Sequence, residues 1–140
     1  MGQVFQHILD AIPLLLAPMT ILAMIGGTAI GIAVGALPGL SATMGIAVLI
    51  PLTFTMSPVA ALGMIAGIYN GAMYGGSIPA ILLRIPGTPA GVATVFDGYP
   101  MAQKGQANLA LRISLVSSSI GSAVSAVALL VLAPPLSMIA

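Results

Sequence analysis

The residues able to do chemistry in this chain are few, neutral for the most part, and gathered at proline-glycine breaks. Pro38-Gly39 interrupts an apolar run and is followed by Ser41 and Thr43. A restarting helix there offers unpaired backbone amides and hydroxyls, an arrangement that attracts carboxylates and phosphates because the free N–H groups and the helix dipole point the same way. Gly75-Gly76-Ser77 forms a second such place, with Asn70 and Tyr74 just upstream. An amide in an apolar helix must find a partner, so Asn70 bonds either another helix or a cargo group. Ile85-Pro86-Gly87-Thr88-Pro89, followed by Thr94, supplies either an ordinary turn or a further backbone cluster. Asp97, in Phe96-Asp97-Gly98-Tyr99, either bonds its own backbone in a turn or holds a coupling ion such as Na+ or H+. Substrate contact is therefore expected at Pro38, Gly39, Ser41, Thr43, Asn70, Gly76 and Ser77. Ion coupling or a second backbone cluster is expected at Gly87, Thr88, Thr94 and Asp97.

Other chemistries are excluded by what is missing. The chain has no cysteine and a single histidine, so thiolate sites, disulfides and histidine metal clusters are ruled out, and no metal or other cofactor is expected. There is no paired carboxylate set within one segment, no histidine-supported serine and no phosphate loop, so an enzyme is not expected. The net charge of +1 rests on Arg84, Lys104 and Arg112, which form no dense patch for nucleic acid.

The elements that position these residues belong in a bilayer. Only 4% of residues are charged, against roughly a quarter in a soluble domain, and none lies between Ala11 and Leu83. Two glycine ladders run through that stretch, Gly27-Gly31-Gly35-Gly39 and Gly63-Gly67-Gly71-Gly75. In water each glycine would cost a helix about 1 kcal/mol against alanine; in lipid, small residues at four-residue spacing let helices approach closely and cohere. The predicted fold is an all-α integral membrane protein with several helices and Pro-Gly breaks, in which a shorter apolar segment either spans or is re-entrant, part of a larger transporter fold, and residues 1–140 form one membrane domain.

Apolar length and punctuation predict helices over 11–37, 40–56, 58–76 and 111–132, with a loop over 84–110. Pro13 and Pro18 fall in the first turns of the first helix, and Ser57-Pro58 reads as an N-cap with proline at the first helical position. The segment 40–56, interrupted by Pro51, is at the lower limit for a crossing and is either a span or a re-entrant half-helix. Pro134-Pro135 is expected to end the last helix, whose Ser117 to Ser125 form a small-residue face. His7 and Asp10 are expected at the interface. The three basic residues place 84–112 in the cytoplasm; the N-terminus is then outside if 40–56 crosses and inside if it turns back. Both ladders lead to a serine (Ser41, Ser77) and then to Ile-Pro (Ile50-Pro51, Ile85-Pro86), the kind of internal repetition seen in repeat-built transporters.

Three ordered stretches, GIAVGALPGLSATMG from Gly31 to Gly45, YNGAMYGGSIPAILLRIPG from Tyr69 to Gly87 and ATVFDGYPMAQKG from Ala93 to Gly105, resemble the TctA family, the large membrane subunit of tripartite tricarboxylate transporters. The resemblance implies a bacterial inner-membrane, multi-pass protein. It implies work with a small TctB-like membrane subunit and a periplasmic TctC-like solute-binding protein to import citrate or related organic carboxylates on an ion gradient. Members of that family are several times longer, so the chain is expected to be an N-terminal portion whose cavity is shared with a second half. The competing reading is a glycine-zippered scaffold or assembly fragment that carries no cargo, for which mid-membrane breaks with hydroxyls would serve no purpose.

Overall fold

A computed structural model describes the backbone of residues 2–137 and the side chains of residue 6 and residues 9–132. Among these residues there are seven α-helices: α1 (Gly2–Leu15), α2 (Pro18–Ala36), α3 (Ala42–Thr53), α4 (Pro58–Gly75), α5 (Ser77–Leu83), α6 (Val92–Gln103) and α7 (Ala107–Ser137). The all-α expectation holds. By length and composition, Pro18–Ala36 and Ala107–Leu132 are able to cross a membrane.

The fold is organised by α2 and α4, whose ladders interlock. A Cβ on Gly27, Gly31 or Gly35 would fall onto the carbonyl oxygen of Met64, Ile68 or Ala72, and one on Gly67, Gly71 or Gly75 onto that of Met24, Thr28 or Ile32. Partner numbers rise together along both helices, so α2 and α4 run parallel. Glycine Cα–H groups facing carbonyls contribute about 0.5–1 kcal/mol each, and the absent Cβ lets the backbones close enough to make them. Ile68 and Ala60, fully buried, fill the seam beside the glycines.

Parallel neighbours require the intervening chain to return. Gly45 of α3 lies against Val34 near the end of α2, whereas Met56, beyond α3, packs on the cluster of Ala23, Ala60, Met64 and Ile68 near the start of α4. The segment 40–56 thus carries the chain back along α2 to the level at which α4 begins. Its helix, Ala42–Thr53, covers only about 18 Å; the flanking non-helical residues supply the rest.

Several element boundaries differ from expectation. The first helix is not continuous over 11–37. Pro18 pushes Ala17 into an extended conformation (φ −58°, ψ 135°) and becomes the first residue of α2, leaving α1 as a separate helix. Asp10 is exposed on α1, and His7 lies outside the residues whose side chains are described. The third helix stops at Gly75 and a short helix, α5, follows where less regular chain was expected. The loop over 84–110 is corrected most: α6 occupies Val92–Gln103, and Asp97-Gly98-Tyr99-Pro100 is helical. Tertiary packing overrides turn propensity there, since Gly98 sits so close to Ile81 of α5 that a Cβ would come within 2.7 Å of its side chain. The turn at Lys104-Gly105 is as expected, with Gly105 at φ +78° and Gln106 N–H donating to Met101 at 2.9 Å. The last helix begins at Ala107, before 111, and continues through Pro134-Pro135 to Ser137.

Beyond α5 the chain turns back, so that Gly87 and Thr88 lie against Gly76, and α6 then descends beside α5. From Ala107, α7 runs antiparallel to α4 and α5, its Ser122 hydroxyl donating to the Asn70 carboxamide oxygen at 3.3 Å. Residues 119–132 of α7 are exposed throughout.

Candidate functional site

Two breaks 47 residues apart in sequence (Gly39 to Pro86) meet at one cavity. The first is a turn over Leu37-Pro38-Gly39-Leu40, closed by Leu40 N–H donating to the Leu37 carbonyl at 3.2 Å. Proline fixes its second position and Gly39, at φ +94°, takes the third, which needs positive φ. Ser41 then caps α3, its hydroxyl oxygen accepting from Met44 N–H at 3.2 Å. The second break is Ile85 to Gly91. Its Gly87 is wedged between the carbonyl of Gly35 and the Cα of Gly76, where no side chain fits, and Gly87 N–H donates to the Gly76 carbonyl at 3.2 Å.

Gly39, Leu40, Ser41, Pro86, Gly87, Thr88 and Pro89 line the resulting cavity, of about 360 Å³. The start of α3 borders it, with the positive partial charge of its unpaired first amides. The end of α2 approaches it through the Gly35 carbonyl, with the opposite partial charge. Thr88, 3% exposed, holds the one buried side-chain oxygen without a hydrogen-bond partner among the described residues. Leaving such a hydroxyl unpaired costs about 1–3 kcal/mol; its oxygen is sealed from the cavity and lies against Gly76, where a Cβ would come within 2.7 Å of it.

A second cavity, of about 390 Å³, lies on the other side of Gly76. Ser77 and Ile81 of α5, Thr94 and Asp97 of α6, and Ser114, Ser117 and Ser118 of α7 line it. A carboxylate and several neutral hydroxyls share it with no basic residue in its wall, a composition suited to a cation. The partition between the cavities is thin: a Cβ on Gly76 would lie 2.7 Å from the Thr88 hydroxyl, and one on Gly91 would lie 3.1 Å from the Gly76 carbonyl.

The residues singled out in the sequence therefore divide. Gly39, Ser41, Gly87 and Thr88 come together in the first cavity; Ser77, Thr94 and Asp97 in the second; Gly76 separates them. Pro38 is exposed in its turn, and Thr43, exposed in the first turn of α3, lines neither cavity. Asn70 faces α7, donating to the Ala66 carbonyl at 3.1 Å and accepting from Ser122, and so serves the helix contact. Asp97 faces a cavity from mid-helix and not from a turn. Sequence reasoning missed Gly35, taken with the packing ladder, and the α7 serines, taken as a packing face. The spacing that assigned them to packing carries no mark of what else they touch.

Residues 21–140 match the family described as tripartite tricarboxylate transporter TctA. Over 125 residues the chain is 45% identical to the "uncharacterized 52.8 kDa protein in TAR-I ttuC' 3'region" of Agrobacterium vitis, a match covering 89% of this chain and 25% of that protein. The chain thus spans about a quarter of that relative's length. No solved structure matches. The length of the family match, together with an all-α membrane fold in which the three motif stretches build the α2–α4 seam and both cavities, settles the assignment: the chain belongs to the tripartite tricarboxylate transporter TctA family.

Proposed function

We propose that this chain is part of the large membrane subunit of a secondary transporter that imports tricarboxylates or related organic carboxylates across a bacterial inner membrane. A small membrane subunit and a periplasmic solute-binding protein would be its partners. The observation that carries the reading is the convergence of the Pro38 and Pro86 breaks on one cavity bordered by the start of α3. Irregular backbone at membrane depth is tolerated where it lines a watery cavity, and carboxylate sites of this kind are built from helix starts and hydroxyls. The amides opening α3, with the Ser41 hydroxyl, contact the cargo carboxylate. The coupling ion, Na+ or H+, is held in the second cavity by Asp97 with Thr94 and Ser77, one thin wall away.

The parallel α2 and α4 favour a true crossing by 40–56, which makes the protein multi-pass and puts the start of α2 outside when the basic residues are inside. The test is uptake of radiolabelled citrate and other di- and tricarboxylates by the full-length subunit with its partners. A Ser41→Ala, Ser77→Ala double variant is expected to lose uptake when uptake is normalised to the folded protein present in the membrane. Normal uptake removes the assignment.

A further inference from the structure

Arg84 belongs to neither cavity, and its backbone is unusual. It has φ 62°, the one non-glycine residue with positive φ among the described residues, where a side chain costs roughly 1–2 kcal/mol. The conformation closes α5, with Ile85 N–H donating to the Pro79 carbonyl at 3.3 Å, a task that glycine or asparagine performs with less strain. What arginine adds is a guanidinium placed 5.7 Å from the centroid of the Tyr99 ring. Tyr99 is itself held, its hydroxyl accepting from Gln103 Nε2 at 2.9 Å.

Arg84, Tyr99 and Gln103 line a cavity of about 230 Å³ with Val95, Phe96 and Pro100, and no carboxylate is in its wall. Asp97, one residue from Phe96, faces the other cavity. Among the described residues no carboxylate shares this cavity with the guanidinium, whose planar fork matches two oxygens of a phosphate. The surroundings are apolar and open: Leu83 is 61% exposed, Ile85 49% and Phe96 74%. Lys104 follows at the end of α6. A cationic fork bordered by exposed apolar side chains, at the end of the bundle where the basic residues gather, has the order of groups found in a phospholipid.

We propose that Arg84, Tyr99 and Gln103 form a headgroup site for an anionic phospholipid, its phosphate on the guanidinium and its acyl chains along Leu83, Ile85 and Phe96. The attraction of basic residues to the anionic inner leaflet points the same way. The site depends on the chain being in a membrane and not on what cargo it carries.

The full-length subunit in detergent, with phosphatidylglycerol or phosphatidylcholine added, tests this by thermal unfolding and by native mass spectrometry. Phosphatidylglycerol is expected to raise the melting temperature and remain bound, with phosphatidylcholine doing neither. Arg84→Asn is the informative variant, because asparagine tolerates the left-handed backbone and keeps the fold while removing the charge; it should abolish the preference. Arg112→Gln, outside the cavity, should retain it. Equal effects of the two lipids, equal loss in both variants, or the same stabilisation by inorganic phosphate alone would each overturn the proposal.

Discussion

Adjacent glycines on α2 give an internal control on what the ladder does. Gly26 and Gly27 share a helix and differ only in what they face. A Cβ on Gly26 meets nothing within 4 Å, whereas one on Gly27 meets the backbone of Met64, with its Cα and carbonyl carbon both at 3.2 Å and the oxygen closer still. Alanine is the better helix former by about 1 kcal/mol, so Gly26→Ala is expected to be neutral or to stabilise by up to that amount. At Gly27 the same gain is set against a clash with rigid backbone, which cannot rotate away and must move the helices apart. Overpacking of this kind costs about 1–3 kcal/mol, and parting the seam also weakens the neighbouring Cα–H···O contacts at Gly31 and Gly67. The two alanines should thus differ by about 2–4 kcal/mol in opposite directions. With roughly 2–8 °C per kcal/mol for chains of this size, a separation of at least several degrees in detergent melting temperature is expected. Equal melting temperatures would refute close packing as the function of the ladder.

Further expectations follow from the same geometry. Because the chain lacks cysteine, single cysteines at Pro38 and Thr55, on either side of 40–56, report topology cleanly: an impermeant thiol reagent should label Thr55→Cys in whole cells and Pro38→Cys only after lysis, and labelling of both from outside would mean that 40–56 does not cross. Ser41→Ala should lower stability by about 1 kcal/mol through loss of the α3 cap, while Ser41→Asp keeps the cap yet repels a carboxylate; full uptake by the aspartate variant would exclude the cavity as the anion site. Thr88→Val should leave the chain as stable or more stable, by about 1–3 kcal/mol, because valine keeps the shape and removes a buried unpaired hydroxyl; a clear loss of stability would show that the hydroxyl has a partner.

Much of this arrangement was legible in the residues. The ladders announced close helix contact, Ser57-Pro58 marked the start of α4, and Pro38-Gly39 marked the turn ahead of Ser41, because these signals are local or repeat at helical spacing. What was not legible depends on partners distant in the chain. Nothing at Asp97-Gly98-Tyr99-Pro100 states that Ile81 waits against Gly98, so turn chemistry read as a loop what packing makes a helix. The break at Leu16-Ala17 was masked by unbroken hydrophobicity, although Pro18 carried the signal. Pairing of Gly39 with Gly87, and separation of Ser77 from both, follow from α2 and α4 being parallel. That direction is written only in which glycine meets which carbonyl.

The most direct test of the carboxylate cavity is protection of a cysteine within it. Pro89 lines the cavity and is exposed, and Thr55 lies far along the fold near the start of α4. In the full-length subunit, citrate, or whichever di- or tricarboxylate the transporter carries, is expected to slow alkylation of Pro89→Cys several-fold and to leave Thr55→Cys unchanged. Alkylation of Pro89→Cys at an unaltered rate under a saturating concentration of a transported carboxylate would contradict the account.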